Sequence, residues 1–126
     1  MSFWFFMLSI ILLIPLIMIG FGWIFIKSAP KDINYVFGYR TPMSTSSEEA
    51  WKFAHKYFGR IWFILGFIIL IPSVIGVVCV AGLDKDTVGY VGTAITFAQM
   101  FFMIIPMIPT EIELKKNFDK NGNRKI

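Results

Sequence analysis

One polar segment, residues 34–59, holds the side chains with the greatest capacity for chemistry in this sequence. Arg40 could act as a buried guanidinium that binds a carboxylate, a set of carbonyls or a lipid phosphate, because its donors form a planar fork. It could equally be one more basic residue beside a membrane helix. His55 could respond to pH, although a hydrogen-bonded structural role is the simpler interpretation. The residues alone leave these alternatives open.

The sequence does not predict a catalytic or metal centre. The chain has one His and one Cys, whereas a metal site needs several converging ligands. On a continuous helix His55 and Cys79 would lie about 36 Å apart, since each residue adds about 1.5 Å, so they cannot act as a pair. Intramembrane catalysis would also need ionisable groups within the apolar segments. We therefore expect no enzymatic activity, no metal and no cofactor.

Three windows without a charged residue surround or follow the polar segment: residues 1–26, 61–83 and 87–110. Each exceeds the roughly 20 residues that a helix needs to cross a bilayer core. The first also lacks the basic start and short apolar run of a signal peptide. We predict an all-α integral membrane protein, a single membrane domain over residues 1–126, with spans at about 3–27, 60–83 and 88–109.

The basic residues determine the predicted orientation, because Lys and Arg favour the cytoplasmic side of a membrane. Residues 27–60 contain six of them, residues 111–126 contain five, and residues 84–86 contain one. The loop 28–59 and the tail 110–126 are therefore predicted to be cytoplasmic, with the N-terminus outside. This topology and anionic lipid headgroups account for the net charge of +4, so no direct nucleic-acid partner is expected.

Small and weakly polar residues form a stripe along each of the last two predicted spans. They are Gly59, Gly66 and Ser73 for the second span and Gly92, Thr96 and Gln99 for the third. Small residues let membrane helices approach closely. These two spans are therefore predicted to form a tight antiparallel hairpin with the stripes in contact and Gln99 buried between them. Pro15 in the first span requires a neighbour to satisfy the carbonyl that it frees.

The polar segment predicts a turn followed by a helix. Proline disfavours helical backbone at the preceding residue, so Thr41-Pro42 holds a non-helical stretch. Residues 45–49 then contain two overlapping capping boxes, Thr45 with Glu48 and Ser46 with Glu49. A helix is predicted to begin near Ser47 and to lie at the cytoplasmic interface before turning into the second span. Asn34 is expected to cap a turn or to bond the loop backbone.

The ordered residues of this segment resemble the signature of the SdpI family of bacterial membrane immunity proteins. Family members share an Asn, a Gly-x-Arg-Thr element, and a Trp-x3-His or Trp-x3-Asn helix that leads into a membrane span. The matching positions are Asn34, Gly38, Arg40, Thr41, Pro42, Ser44, Glu48, Trp51, His55 and Gly59. The order of spans around this motif extends the resemblance over most of the chain.

The resemblance implies a multi-pass protein of the bacterial plasma membrane that gives resistance to a membrane-active peptide toxin. It also implies signal transduction, in which a cytoplasmic transcriptional repressor is recruited to the membrane. The implied partners are the lipid bilayer, the toxin and the repressor, and a homo-oligomer is compatible with the sequence. Two other classes stay open on the residues alone: a small channel or transporter, and an assembly subunit of a larger membrane complex.

Overall fold

The computed structural model describes residues 2–28 and 38–125. These residues form four α-helices: α1 (Ser2–Ser28), α2 (Glu48–Cys79), α3 (Lys85–Ile104) and α4 (Met107–Asn117). In the described part of the chain the only β-type pairing is an isolated antiparallel bridge between Phe118 and Arg124. The prediction of an all-helical fold is confirmed. The contact predicted for Asn34 lies outside the described residues.

Three helical stretches are long and apolar enough to cross a membrane: Ser2–Lys27, Glu48–Cys79 and Lys85–Asn117. The last stretch contains α3 and α4, which are separated by a short break at Ile105 and Pro106. Large apolar side chains such as Ile71 and Phe97 are exposed on the outer surface, as expected for faces that contact lipid. The prediction of three membrane-capable helices is confirmed.

Small residues bring the backbones of α1 and α2 into close contact. A Cβ atom added to Gly22 would lie 2.8 Å from the carbonyl oxygen of Gly59, and one added to Gly66 would lie 3.1 Å from that of Pro15. The predicted pairing of Gly59 and Gly66 with the third span is therefore wrong, since both pack against α1. The period of the stripe shows which residues share a face, but it does not identify the helix that covers that face.

Gln99 of α3 links all three long helices. Its Nε2 donates to the carbonyl oxygen of Ile11 and to the Ser73 hydroxyl, each at 2.9 Å. Ile11 lies four residues before Pro15, whose missing N–H leaves that carbonyl without its helical donor. Gln99 supplies the missing bond from a neighbouring helix, and the prediction that Gln99 is buried between helices is confirmed.

The other two stripe residues of α3 make different contacts. A Cβ atom on Gly92 would overlap the Met7 side chain, so Gly92 faces α1. The Thr96 hydroxyl donates to the Gly92 carbonyl at 2.8 Å, within its own helix. The two stripes therefore meet through Ser73 and Gln99 rather than along their whole length.

Two tryptophans donate to backbone carbonyls near helix ends. Trp4 Nε1 lies 2.9 Å from the Val77 oxygen near the end of α2, and Trp62 Nε1 lies 3.0 Å from the Met103 oxygen near the end of α3. Carbonyls in the last turn of a helix lack intrahelical donors. In an apolar environment such groups must be satisfied by protein. The Met103 oxygen accepts from the Trp62 indole, and the Val77 oxygen accepts from both the Trp4 indole and the Val80 N–H.

The bundle has two ends that differ in structure. The hairpin end consists of residues 2–7 and 77–92, and the loop end consists of residues 22–28, 38–60 and 105–125. At the hairpin end Asp84 caps α3 by accepting bonds from the Thr87 backbone N–H and hydroxyl. These bonds lower the pKa of the Asp84 carboxyl below its ordinary value.

Candidate functional site

A cluster of buried apolar side chains holds the loop end together. It draws on α1, the loop, α2, α4 and the segment after α4, and we call it the loop-end core. Its members are Phe25, Tyr39, Ala50, Ala54, Phe58, Leu114 and Phe118. The Tyr39 and Phe58 ring centroids are 4.6 Å apart, so the loop packs directly on α2. The described part of the loop, from residue 38 onward, is thereby packed on a hydrophobic base.

Ser47 forms the N-cap of α2, and its Oγ accepts a bond from the Ala50 backbone N–H at 3.0 Å. The prediction that a helix begins near Ser47 is confirmed. The capping role predicted for Thr45 and Ser46 is wrong, because their hydroxyls donate to the carbonyl oxygens of Thr41 and Met43 at 2.8 and 2.6 Å. Residues 45 and 46 belong to the turn before the cap, and a capping box requires its first residue at the cap itself.

The helix that begins at Glu48 continues without interruption to Cys79. The separate interfacial helix predicted before the second span is therefore not observed, since that segment forms the first turns of α2. Glu48 and Glu49 occupy the first turn, where carboxylates complement the positive end of the helix dipole. The loop-end residues of α2 thus belong to the same helix as its apolar, membrane-capable part.

Ser44 organises the turn that precedes α2. Its fully buried hydroxyl accepts a bond from the Thr41 N–H at 2.7 Å and lies 3.1 Å from the Tyr39 carbonyl oxygen. The Ser44 N–H in turn donates to Thr41 Oγ1 at 3.1 Å. These reciprocal bonds satisfy the backbone of a non-helical stretch, and the prediction of such a stretch at Thr41-Pro42 is confirmed.

His55 connects the loop to α2 through both ring nitrogens. Nδ1 lies 2.7 Å from the Trp51 carbonyl oxygen, and Nε2 lies 2.9 Å from the Tyr39 backbone nitrogen. A carbonyl oxygen only accepts hydrogen bonds, so Nδ1 carries the proton, and Nε2 is the acceptor for the Tyr39 N–H. The imidazole is therefore neutral, fully buried and committed to the backbone.

Gly38 makes the contact between the loop and His55 possible. Its φ is +110°, in a region that side chains with a Cβ rarely adopt. A Cβ atom at this position would also overlap His55 Nε2 and lie 3.2 Å from Trp51 Cζ2. Glycine is required here both for its backbone angle and for the space that it leaves. The structure thereby explains why the motif combines Gly38, Trp51 and His55.

The segment after α4 folds back onto the loop. Its backbone closes through a bond from the Lys125 N–H to the Asn117 oxygen at 2.7 Å, and Arg124 forms an ion pair with Glu49 of α2. Gly122 packs so closely on the Ser46 carbonyl that an added Cβ would lie 2.5 Å from its oxygen. The basic tail predicted from the sequence is therefore an ordered part of the loop end.

Sequence reasoning did not identify the contacts that join the tail region to the loop. The Tyr39 hydroxyl donates to Glu111 Oε1 at 2.7 Å, and burial together with this bond raises the pKa of Tyr39 above its ordinary value. Leu114 and Phe118 are buried in the loop-end core. A lone Phe within a polar tail is the sequence signal that could have suggested such packing.

Arg40 is exposed, so the interpretation of a buried guanidinium is wrong. It lies beside Gly38 and Tyr39 at one end of an apolar groove of about 450 Å³. The walls of this loop-end groove come from α1, α2 and the junction of α3 with α4, and they include Phe21, Trp62 and Ile104. The loop backbone thus places a cation where an apolar groove meets the polar end of the bundle.

Among the described residues, no group of three or more His, Cys, Asp or Glu side chains is arranged to hold a metal ion. Cys79 is exposed at the far end of α2 from His55.

Residues 31–110 match the model of the SdpI/YfhL protein family. The chain belongs to the SdpI/YfhL family. No curated protein and no solved structure shows significant similarity to it. The family match includes the loop, α2 and α3, but it ends before Leu114 and Phe118. The loop-end core therefore combines residues inside the SdpI/YfhL match with residues that follow it.

The SdpI/YfhL motif residues divide by their surroundings. Gly38, Thr41, Ser44, Trp51 and His55 are held together in the loop and the first turns of α2. Arg40, Pro42 and Glu48 are exposed at the surface. Gly59 contacts α1 instead of the loop. The first group builds the scaffold of the loop, and the second group lies at its surface.

Proposed function

We propose that this protein is an SdpI-type membrane immunity protein that gives a bacterial cell resistance to a membrane-active peptide toxin. Membership of the family supports the proposal. The observation that carries it is the convergence of the motif on one end of the bundle, where a fixed loop presents Arg40 beside a groove. No enzymatic step is part of the proposed activity.

The charge distribution supports a cytoplasmic position for the loop end. Its described residues include ten Lys or Arg and five Asp or Glu, whereas the hairpin end has one Lys and two Asp. Basic residues favour the cytoplasmic side of a plasma membrane. In this orientation the N-terminus is outside, and a secreted toxin meets the hairpin end and the membrane-facing surfaces first.

The continuity of α2 suggests how toxin contact could become a signal. α2 is one helix from Glu48 to Cys79 with Pro72 near its outer end, so in this proposal a toxin that shifts α2 on the loop side of Pro72 also moves Trp51 and His55. Those residues hold Gly38 and Tyr39, so the surface around Arg40 moves with them. In this proposal a cytoplasmic repressor binds the altered surface, and a homo-oligomer of the chain is compatible with the exposed apolar faces.

The test is survival of a toxin-sensitive bacterium that expresses the chain and is challenged with a membrane-active peptide of the family's type. We expect the wild type to protect, and Arg40→Ala to lose protection at an equal level in the membrane. Arg60→Ala is the matched control, because Arg60 is an exposed arginine of the loop end that lies outside the groove. This control should retain protection.

Two outcomes would contradict the proposal. Failure of a well-expressed wild-type chain to protect against a panel of such peptides would favour the assembly-subunit alternative. Protection that survives substitution of Arg40 would remove the loop surface from the mechanism. The channel alternative has less support, since Gln99 directs its Nε2 to Ile11 and Ser73 within the bundle.

A further inference from the structure

We propose that the loop-end groove binds an anionic phospholipid, with an acyl chain along the groove and the phosphate on Arg40. The inference goes beyond the proposed immunity function and does not depend on it, because it concerns the occupant of the groove. A lipid bound here would be a specific ligand of the protein and not merely part of the surrounding bilayer.

The shape and lining of the groove fit a hydrocarbon chain. Its volume of about 450 Å³ lies within the range of roughly 300–1,000 Å³ typical of small-ligand sites. Ile17 and Phe21 of α1 face Trp62 of α2 and Met103 of α3 across it. All of these residues belong to helices that are long and apolar enough to span a membrane, so lipid tails are the molecules with direct access to the groove.

The charge at the groove's loop end favours an anionic headgroup. Arg40 is the charged residue among those described as lining the groove, and its guanidinium can bond two phosphate oxygens at once. Tyr39 also lines the groove, but its hydroxyl is committed to Glu111. The described residues of the loop end carry a net charge of +5, against −1 at the hairpin end, so anionic lipid is attracted to this end.

A second groove provides an internal contrast. It lies between α2 and α3, has a volume of about 310 Å³, and is lined by Ile68, Pro72 and Phe102 with no charged side chain. Lipid chains can fill this second groove as well, but nothing in its lining selects a headgroup. The selectivity that we propose therefore resides in Arg40 and not in apolar grooves as such.

The experiment uses the full chain in phosphatidylcholine vesicles that contain chain-spin-labelled phosphatidylglycerol or, separately, labelled phosphatidylcholine. Electron paramagnetic resonance then measures the fraction of each labelled lipid that the protein immobilises. A basic residue near a membrane surface contributes about five-fold to the binding of anionic lipid. This general attraction is the most that Arg60→Gln can remove. We expect wild type to prefer phosphatidylglycerol, and Arg40→Gln to lose more of that preference than Arg60→Gln because it also removes the paired bonds to the phosphate.

A second pair of variants tests the groove without changing charge. Ile104→Trp should fill the groove and reduce the immobilised phosphatidylglycerol, since Ile104 is an exposed wall residue. Ile108→Trp should have no such effect, because Ile108 is exposed on α4 outside the groove. Equal effects of these two substitutions would overturn the placement of the acyl chain.

The remaining outcomes are equally decisive. Equal losses in Arg40→Gln and Arg60→Gln would show attraction to a charged surface and would overturn a specific site. An unchanged preference in Arg40→Gln would overturn the role of Arg40. If the protein bound inorganic phosphate through Arg40 but showed no preference for labelled phosphatidylglycerol, the site would bind free phosphate and the lipid assignment would be wrong.

Discussion

The loop end and the hairpin end both reverse the chain between antiparallel helices, but they do so by different means. The hairpin end uses a short turn at residues 80–84 and a small buried cluster of Met7, Val80 and Val88. The loop end uses a longer segment, a buried histidine and a core that also recruits the tail. The hairpin end connects two helices, whereas the loop end contains the elements of a small folded domain.

Two glycines make the difference concrete. Gly82 at the hairpin end and Gly38 at the loop end both have positive φ, +84° and +110°. An added Cβ at Gly82 would meet nothing within 4 Å, whereas one at Gly38 would overlap His55. Gly82 is therefore required only for its positive φ, whereas Gly38 is required for its positive φ and for the space that His55 occupies. The conformation of the loop at Gly38 is thus fixed by packing as well as by the need to connect two helices.

Removal of a side chain from the loop-end core is expected to cause the largest loss of stability. Phe118→Ala leaves a cavity among Phe53, Leu114 and their neighbours in the loop-end core, at a cost of about 3–5 kcal/mol in the free energy of unfolding. Thermal unfolding in detergent micelles measures the loss. Ile112→Ala on exposed α4 surface is the control and should change stability little. Similar results for both variants would mean that the tail is not part of the core.

Substitution of Gly38 or Gly82 is expected to cause the next largest loss of stability. Gly82→Ala should cost about 1–2 kcal/mol, the penalty for left-handed backbone. Gly38→Ala should cost roughly 3 kcal/mol, because it also disrupts the bond between Tyr39 and His55. Thermal unfolding of the two variants under one condition gives the difference directly. Equal losses would show that His55 can move aside at no cost, and the contrast between the two ends would then fail.

A smaller loss of stability is expected from substitution of Gln99, which lies midway between the two ends of the bundle. Gln99→Leu should cost about 1 kcal/mol, since hydrogen bonds between membrane helices contribute about 0.6 kcal/mol on average. Pro15→Ala restores a backbone N–H that can bond the Ile11 carbonyl, so Gln99→Leu should cost less in that background. A double-mutant cycle by thermal unfolding measures this coupling. Additive losses would mean that Gln99 does not compensate for Pro15.

The spans and the start of α2 were predictable because their physical signals are local. An apolar window without charge is sufficient to propose a membrane helix, and two adjacent carboxylates that suit the positive end of a helix dipole indicate a helix start near Ser47. The burial of Gln99 followed from its place on a small-residue stripe. Each of these predictions uses residues that lie within a few turns of one another.

The errors concern partners that are distant in the sequence. The stripe of Gly59 and Gly66 does not encode whether α1 or α3 covers it, and Gly22 gave no matching pattern in the first span. The packing of Phe118 could not be inferred, since a single aromatic residue in a polar tail forms no repeating pattern that would place it on a buried face. The exposure of Arg40 depends on the course of the loop backbone, which a motif alone does not specify.

The position of Phe118 in the chain has a consequence for biogenesis. A ribosome delivers the polar loop and α2 to the membrane well before it delivers Leu114, Phe118 and Arg124. Until those residues are delivered, the loop-end core lacks two of its members and the Phe53 ring lacks its contact with Phe118. The loop and the start of α2, although made early, therefore reach their final packing only after residues 114–124 have been delivered.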